Sequence, residues 1–348
     1  MKSLNAKIFI ALFLILCLIP SLGLFVFGPS AGGANEIPAP APVFGADMLR
    51  QSSDWLAARF ALRQEMVSLW SGLQEKLLGS SAEEQVVLGR NGWLYYSETL
   101  DDYAGLAMSQ EELRRCAENL SAIQHFLEGQ GLRFVFTVAP NKNSLYPENM
   151  PGRFPSAHEE GNLARLVPLL EELGVPYADL TAPLSQRCLY YATDSHWTAE
   201  GAALGADTML AALGMESDFA AGPFRTEGVH GGDLYEMLYP TGSGREAEIV
   251  YAPGHRHEAL GPVNRGSALT IETLCPGQSG KLLCFRDSFG IALYPYLADS
   301  FGQATFTRRA VYDLSAYVGQ GYDTVIIELV ERNLPNLLDA PILPDASF

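Results

Sequence analysis

The strongest constraint on this chain is an alternation of helix-periodic segments with short apolar runs. Ser109 stands where a helix N-cap belongs, with Glu111 and Glu112 in the turn that follows and Gly129 and Gly131 closing the segment. The apolar run Leu132 to Ala139 comes directly after it. The same order recurs with Leu163 to Leu173 before Val175 to Asp179, and a further helix is expected over Thr198 to Leu213. Lys281 to Phe285 and Thr324 to Leu329 are two more runs of strand length, the first leading into a helix-like stretch from Phe289 to Leu297. Parallel strands need crossover connections, and helices supply them while covering both faces, so the pattern predicts an α/β domain with a mostly parallel sheet. Gly214 to Gly280 is rich in Gly, Pro and His, has weak periodicity, and reads as a loop-rich insertion at 214–280.

Ahead of this block, Val86 to Tyr96 places two apolar runs around Asn91-Gly92, the pattern of a tight hairpin. Asp47 to Leu78 has Trp55, Phe60, Leu62, Met66, Leu69, Trp70 and Leu73 at helical spacing and reads as a packing helix. The N-terminus carries Lys2 and Lys7 and then an apolar run from Ile8 to Phe27, broken only by Pro20, Ser21 and Gly23. That length matches the ~20 residues of a membrane span better than the shorter core of a signal peptide. Residues 1–28 are therefore expected to be a signal anchor, 29–46 a Pro/Gly/Ala linker and 47–348 an extracytoplasmic domain. The chain would then be single-pass in the cell membrane, with the lipid bilayer as a partner. Ser30 to Ala34 are small, so a cleaved leader and a secreted domain stand as the other reading.

A formal net charge of -17 excludes phosphate-backbone binding, so nucleic acid is not an expected partner. Five cysteines are scattered without a C-x-x-C pair, which supports neither a metal knot nor a redox motif. Cys284 reads as a buried free thiol, and a pairing of Cys116 with Cys188 or Cys275 stays open for an exported domain.

Two segments carry chemistry. Phe285-Arg286-Asp287-Ser288-Phe289-Gly290 puts a serine after a strand and before a helix, where backbone N–H groups can face an oxyanion, although Ser288 can equally be a plain helix cap. Thr193-Asp194-Ser195-His196-Trp197 offers a histidine base and a carboxylate to orient it, the two groups a serine hydroxyl needs to become nucleophilic. Trp197 can wall such a site or simply be core. His255-Arg256-His257 shares a face if extended but shows no third ligand, so a solvated loop and no metal are expected. His230, before Gly231-Gly232-Asp233, has an open role.

Asp194-Ser195-His196-Trp197, followed by Thr198-Ala199-Glu200-Gly201-Ala202, resembles the DHHW branch of SGNH-hydrolase-like proteins, which includes bacterial alginate O-acetyltransferases. Gly89 to Tyr96, Ala139-Pro140-Asn141-Lys142 with Tyr146-Pro147, Gly232-Asp233-Leu234 and Glu328 to Arg332 fit the same group, so the similarity spans roughly residues 85 to 335. The resemblance implies an SGNH-like three-layer sandwich with circularly permuted motif order, since Asp and His precede Ser. It implies Ser288, His196 and Asp194 as a catalytic triad that forms an acyl-enzyme, and it places His230 near that site. The Ser288 N–H would be one oxyanion donor, with Asn141, Lys142 or Arg286 as candidates for another; Lys142 and Arg286 are equally open to pairing with Glu328 or Glu331. Trp93, Tyr95, Tyr96 and Trp197 are candidates for a glycan groove and equally for core.

The function implied is O-acetylation of an extracellular or cell-wall polysaccharide, with a membrane-bound O-acyltransferase supplying acetyl groups and no bound cofactor. An extracytoplasmic carbohydrate esterase or deacetylase, and a non-catalytic membrane-tethered glycan-binding scaffold, are the alternatives.

Overall fold

The computed structural model describes residues 2–27, 46–59, 61–106, 108–156, 161–263, 268–309 and 312–344. The expected linker falls almost wholly outside the described residues. The chain divides into two units, one of residues 1–83 with 235–242 and the other of 84–234 with 243–348.

In the first unit, Lys2–Phe27 forms helix α1, Ala46–Arg59 α2 and Arg63–Leu73 α3, which runs on into a π turn over Gln74–Leu78. The single helix expected over 47–78 is therefore broken, with Leu62 in the left-handed region at φ 62°. Counted on the described residues, no helix is long and apolar enough to cross a membrane.

The second unit begins with a hairpin, β1 (Val86–Leu88) and β2 (Leu94–Tyr96), whose turn puts Asn91 and Gly92 at φ 56° and 80°. Both residue types tolerate the left-handed region that such a turn demands. Short helices α4 (Leu100–Tyr103), α6 (Lys142–Leu145) and α8 (Thr181–Leu184) punctuate the chain between longer elements. Helix α5 (Gln110–Gly129) opens on a capping box: the Ser109 hydroxyl accepts from Glu112 N at 3.2 Å, and the Glu112 carboxylate accepts from Ser109 N at 2.7 Å.

Strands β3 (Arg133–Ala139), β4 (Tyr177–Ala178), β9 (Lys281–Phe285), β10 (Gln303–Thr307) and β11 (Thr324–Val330) pair in parallel, in the order β4-β3-β11-β9-β10. Beyond β10 come β8 (Thr270–Leu274) and β7 (Glu258–Ala259), both antiparallel. The sheet is thus mixed. Side chains alternate across it, so Val135, Cys284 and Ile326 pack under α9 (Ala199–Ala212) and α11 (Gly290–Ala298). Phe136, Phe285 and Ile327 face α5 and α7 (Asn162–Leu173) on the other side. Two helical layers around one sheet make the three-layer α/β sandwich.

Residues 214–280, read as loop-rich, hold β5 (Phe224–His230), α10 (Asp233–Leu238), β6 (Glu246–Tyr251), β7 and β8. Their strands escaped the periodicity because β5 and β7 are mostly exposed and β8, Thr-Ile-Glu-Thr-Leu, is short and largely polar. Cys116, Cys188, Cys275 and Cys284 are all free thiols, so the pairing of Cys116 with Cys188 or Cys275 does not occur.

Candidate active site

Strand β9 ends at Phe285, and the turn Arg286-Asp287-Ser288 carries the chain into α11. Asp287 fixes this turn: its carboxylate accepts from Phe289 N at 2.9 Å, from Val330 N at 2.7 Å and from the Asn333 amide at 2.7 Å, tying it to the end of β11. Gly290 opens the helix where no side chain fits, since a Cβ there would lie 2.5 to 3.0 Å from the carbons of Arg286. Arg286 cannot yield easily, because it is buried and its guanidinium donates to Asp287 O at 2.9 Å and Ala268 O at 2.7 Å. Gly290→Ala is expected to destabilise the domain by about 1–3 kcal/mol, the range of overpacking, in thermal melts. An unchanged melting temperature would mean that this turn is looser than the contacts imply.

Ser288 Oγ lies 2.9 Å from His196 Nε2, and His196 Nδ1 lies 2.7 Å from Asp194 Oδ1. The same carboxylate oxygen accepts from His196 N at 2.8 Å, which fixes the loop as well as the ring. With Nδ1–H committed to Asp194, Nε2 is free to accept the serine proton. Burial alone would raise the Asp194 carboxyl, whose side chain is 9% exposed, but hydrogen bonds from His196 and His230 hold it well below the usual carboxylate range. Burial likewise works against a charged His196, yet Asp194, and then the charge of Asp233, raise its pKa above the ordinary histidine value.

The other candidates are turned to different work. Lys142 is buried, and its ammonium donates to the carbonyls of Tyr191 at 2.8 Å, Ala192 at 2.8 Å and Asp194 at 2.7 Å. All three donors are consumed in holding the loop that carries Asp194. Burial pushes its pKa down to about 7 against the pull of Asp194, Asp233 and Glu246. Asn141 donates its backbone N–H to Glu331 at 2.7 Å, reaches Asp102 with its amide at 3.4 Å and accepts from Arg332 N at 3.3 Å. With Arg286 engaged as above, none of the three is directed to an oxyanion, and neither Lys142 nor Arg286 forms an ion pair with Glu328 or Glu331 among the described residues.

Trp197 is 2% exposed; its indole N–H donates to Phe289 O at 3.1 Å, so it mainly buttresses the serine turn from below. Trp93 and Tyr95 pack beside Lys142, their ring centres 5.1 and 5.2 Å from its Nζ, while the Arg332 guanidinium sits 5.3 Å over Tyr96.

Trp197 also helps wall the cleft beside Ser288, as expected, together with Tyr191, Tyr251, Tyr296 and Phe289, in a cavity of about 540 Å³. His230 and Glu248 line it too. His230 Nε2 is 2.8 Å from Asp194 Oδ2, a contact that no sequence spacing announces because β5 delivers it from 36 residues away. Gly232, at φ 74° and with no room for a Cβ beside Thr193 O, lets Asp233 approach. Its carboxylate accepts from Ser195 N at 2.7 Å and Ser195 Oγ at 2.5 Å, and lies 3.5 Å from His196 Nδ1.

His255 and His257 do have a third group, contrary to the solvated loop expected of them. Buried Asp299 accepts from His255 Nδ1 at 2.9 Å, His257 Nδ1 at 2.8 Å, Arg256 N at 2.8 Å and His257 N at 2.9 Å. Four donors on one carboxylate make this an anchor for the loop.

Residues 86–248 match the family model described as the SGNH hydrolase-like domain of the acetyltransferase AlgX. The chain is 30% identical over 192 residues to a probable alginate O-acetylase AlgJ of Pseudomonas syringae pv. tomato, covering 51% of this chain and 47% of that protein. It thus spans about half the length of the curated relatives it matches. Among solved structures, Bacillus cereus PatB1 superposes with a TM-score of 0.59 at 16% identity, over 73% of this chain and 99% of that one. A DHHW family protein from Eubacterium siraeum does so with a TM-score of 0.54 at 16% identity, over 75% and 99%. Sequence and fold together bear out the resemblance to the DHHW branch: the chain carries an SGNH-hydrolase-like α/β domain similar to those of AlgX and AlgJ.

Proposed function

We propose that this chain O-acetylates an extracytoplasmic polysaccharide through an acyl-enzyme on Ser288. The observation that carries the reading is the unbroken chain of hydrogen bonds from Ser288 Oγ through His196 to Asp194. Ser288 Oγ attacks the carbonyl carbon of an acetyl donor while His196 Nε2 takes its proton, and the Ser288 N–H stabilises the oxyanion. Collapse breaks the bond to the leaving group, which departs with the proton held on His196, and leaves acetyl-Ser288. A glycan hydroxyl then gives its proton to His196 and attacks the acyl carbon, and collapse releases Ser288 Oγ, which takes that proton back from His196. Asp194 keeps the imidazole in the tautomer both halves require.

Acceptance of a sugar is supported by the cleft aromatics Tyr191, Tyr251 and Tyr296, and by relatives whose name is alginate O-acetylase. The apolar segment before the domain supports an anchor at 1–28, a linker at 29–46 and a catalytic domain at 47–348 outside the membrane. A domain so placed has no access to cytosolic acetyl-CoA, so its donor is an acetyl group handed over by a membrane-bound O-acyltransferase. The order Asp194, His196, Ser288 makes the core a circularly permuted SGNH fold.

The full chain in detergent, given p-nitrophenyl acetate and acidic or neutral oligosaccharides, should acetylate an oligosaccharide and release proportionately less free acetate. Acetate release that no acceptor diminishes would identify an esterase instead.

A further inference from the structure

We propose that His230 is a positioning residue of this site: a second imidazole on the far oxygen of Asp194 whose positive charge sets how tightly His196 holds its proton. The proposal rests on the serine mechanism above and specifies what regulates its base. Asp194 divides its oxygens, Oδ1 to His196 and Oδ2 to His230 Nε2 at 2.8 Å. On its other side, His230 Nδ1 lies 2.5 Å from Glu248 Oε2. Carboxylates only accept, and a neutral imidazole has a single N–H, so a ring that faces a carboxylate at each nitrogen satisfies both contacts only as the imidazolium.

The surroundings are built for that cation. The side chain is 16% exposed, and its ring stacks on Tyr191 with centroids 3.7 Å apart and planes 7° from parallel. Burial opposes the charge, but Asp194 and Glu248 outweigh it and raise the pKa to about 9. The strand that carries His230 is irregular for the purpose: its pairing with β6 shifts between Thr226 and Val229, where Gly228 takes φ 70°. Opposite, Glu246 of β6 accepts from Ala192 N at 2.8 Å and Thr193 N at 2.6 Å, so the hairpin braces the Asp194 loop as well as charging it.

His196 faces two carboxylates, Asp194 and Asp233, with Arg332 opposing them. Around His230 itself stand Asp194 and Tyr191 from the loop and Glu246 and Glu248 from β6, while Lys142 lies behind the loop. Without the imidazolium, the carboxylates would hold the His196 proton too firmly for it to act as a base near neutrality. The sign is fixed: a cation on Oδ2 weakens the pull of Asp194 on the His196 proton and lowers the pH at which His196 becomes a free base.

His230→Gln keeps an amide donor for Asp194 and removes the charge. The acid limb of kcat/KM should then move up by about one pH unit, a loss of about tenfold at the foot of the limb. Wild type and variant should converge above pH 9, where His230 itself becomes neutral. A variant that loses the same factor at every pH, with the limb unmoved, would reduce His230 to a structural part and overturn the proposal.

Nitrogen NMR of the histidine rings in the full chain reads the charge without turnover. Both His230 nitrogens should be protonated at pH 7.5, and an ordinary titration near neutrality would also overturn the proposal. Fluorophosphonate labelling of Ser288 separates the two readings, since a folded wild type that does not label sinks the serine mechanism whatever His230 does.

Discussion

Ser288→Ala is expected to lower turnover by about 10⁴-fold or more, the loss that follows removal of a triad nucleophile. Stability should barely change, within about 0.5 kcal/mol, because the hydroxyl sits at the cleft wall and its one partner among the described residues, His196 Nε2 at 2.9 Å, can turn to water instead. Turnover of p-nitrophenyl acetate and a thermal melt on the same preparation check both halves. A variant that melts normally and keeps more than a few per cent of the rate would mean that the nucleophile lies elsewhere.

The second large effect comes from a residue that takes no part in the chemistry. Lys142→Met preserves the length and apolar stem of the side chain but removes the ammonium from the carbonyls of Tyr191, Ala192 and Asp194; Ala192 O keeps the Leu94 N–H at 2.8 Å, while the buried carbonyls of Tyr191 and Asp194 are left without that donor. Each of these two acceptors costs about 1–3 kcal/mol, and relaxation of the loop recovers part of it, so a net loss of about 2–4 kcal/mol is expected in denaturant unfolding. Turnover should fall as well, because the carbonyl of Asp194 is one of the three and its carboxylate moves with the backbone. A Lys142→Met protein as stable as wild type would show that the loop is held by other means.

Lys142 also shows where sequence reading stops. The Pro140-Asn141-Lys142 segment suggests an oxyanion donor or an ion pair, and nothing in the sequence shows that three carbonyls from residues 49 to 52 positions away close around its lysine. The resemblance placed His230 near the site, but its tie to Asp194, and that of Glu248 to it, were hidden for the same reason, since a hairpin folding back makes them. Asp299 was invisible as the partner of His255 and His257 because it lies 42 to 44 residues on.

The central strands and their helices were legible because apolar runs such as Thr324 to Leu329, and caps such as Ser109, are local signals. Strands β7, β8 and β10 were not, being short and partly polar. Asp194, His196 and Ser288 stood out because each has the residue type its chemistry needs beside a strand end or helix start, and the fold brings the three within hydrogen-bond reach of one another.

The most direct test is to trap the intermediate. The full chain is incubated with an acetyl donor in the absence of acceptor, quenched in acid, digested and mapped by mass spectrometry. The account predicts an acetyl group on the peptide containing Ser288, lost on addition of acceptor and absent from Ser288→Ala. Product formation with no acetyl-Ser288, or with the acetyl group on another residue, would contradict it.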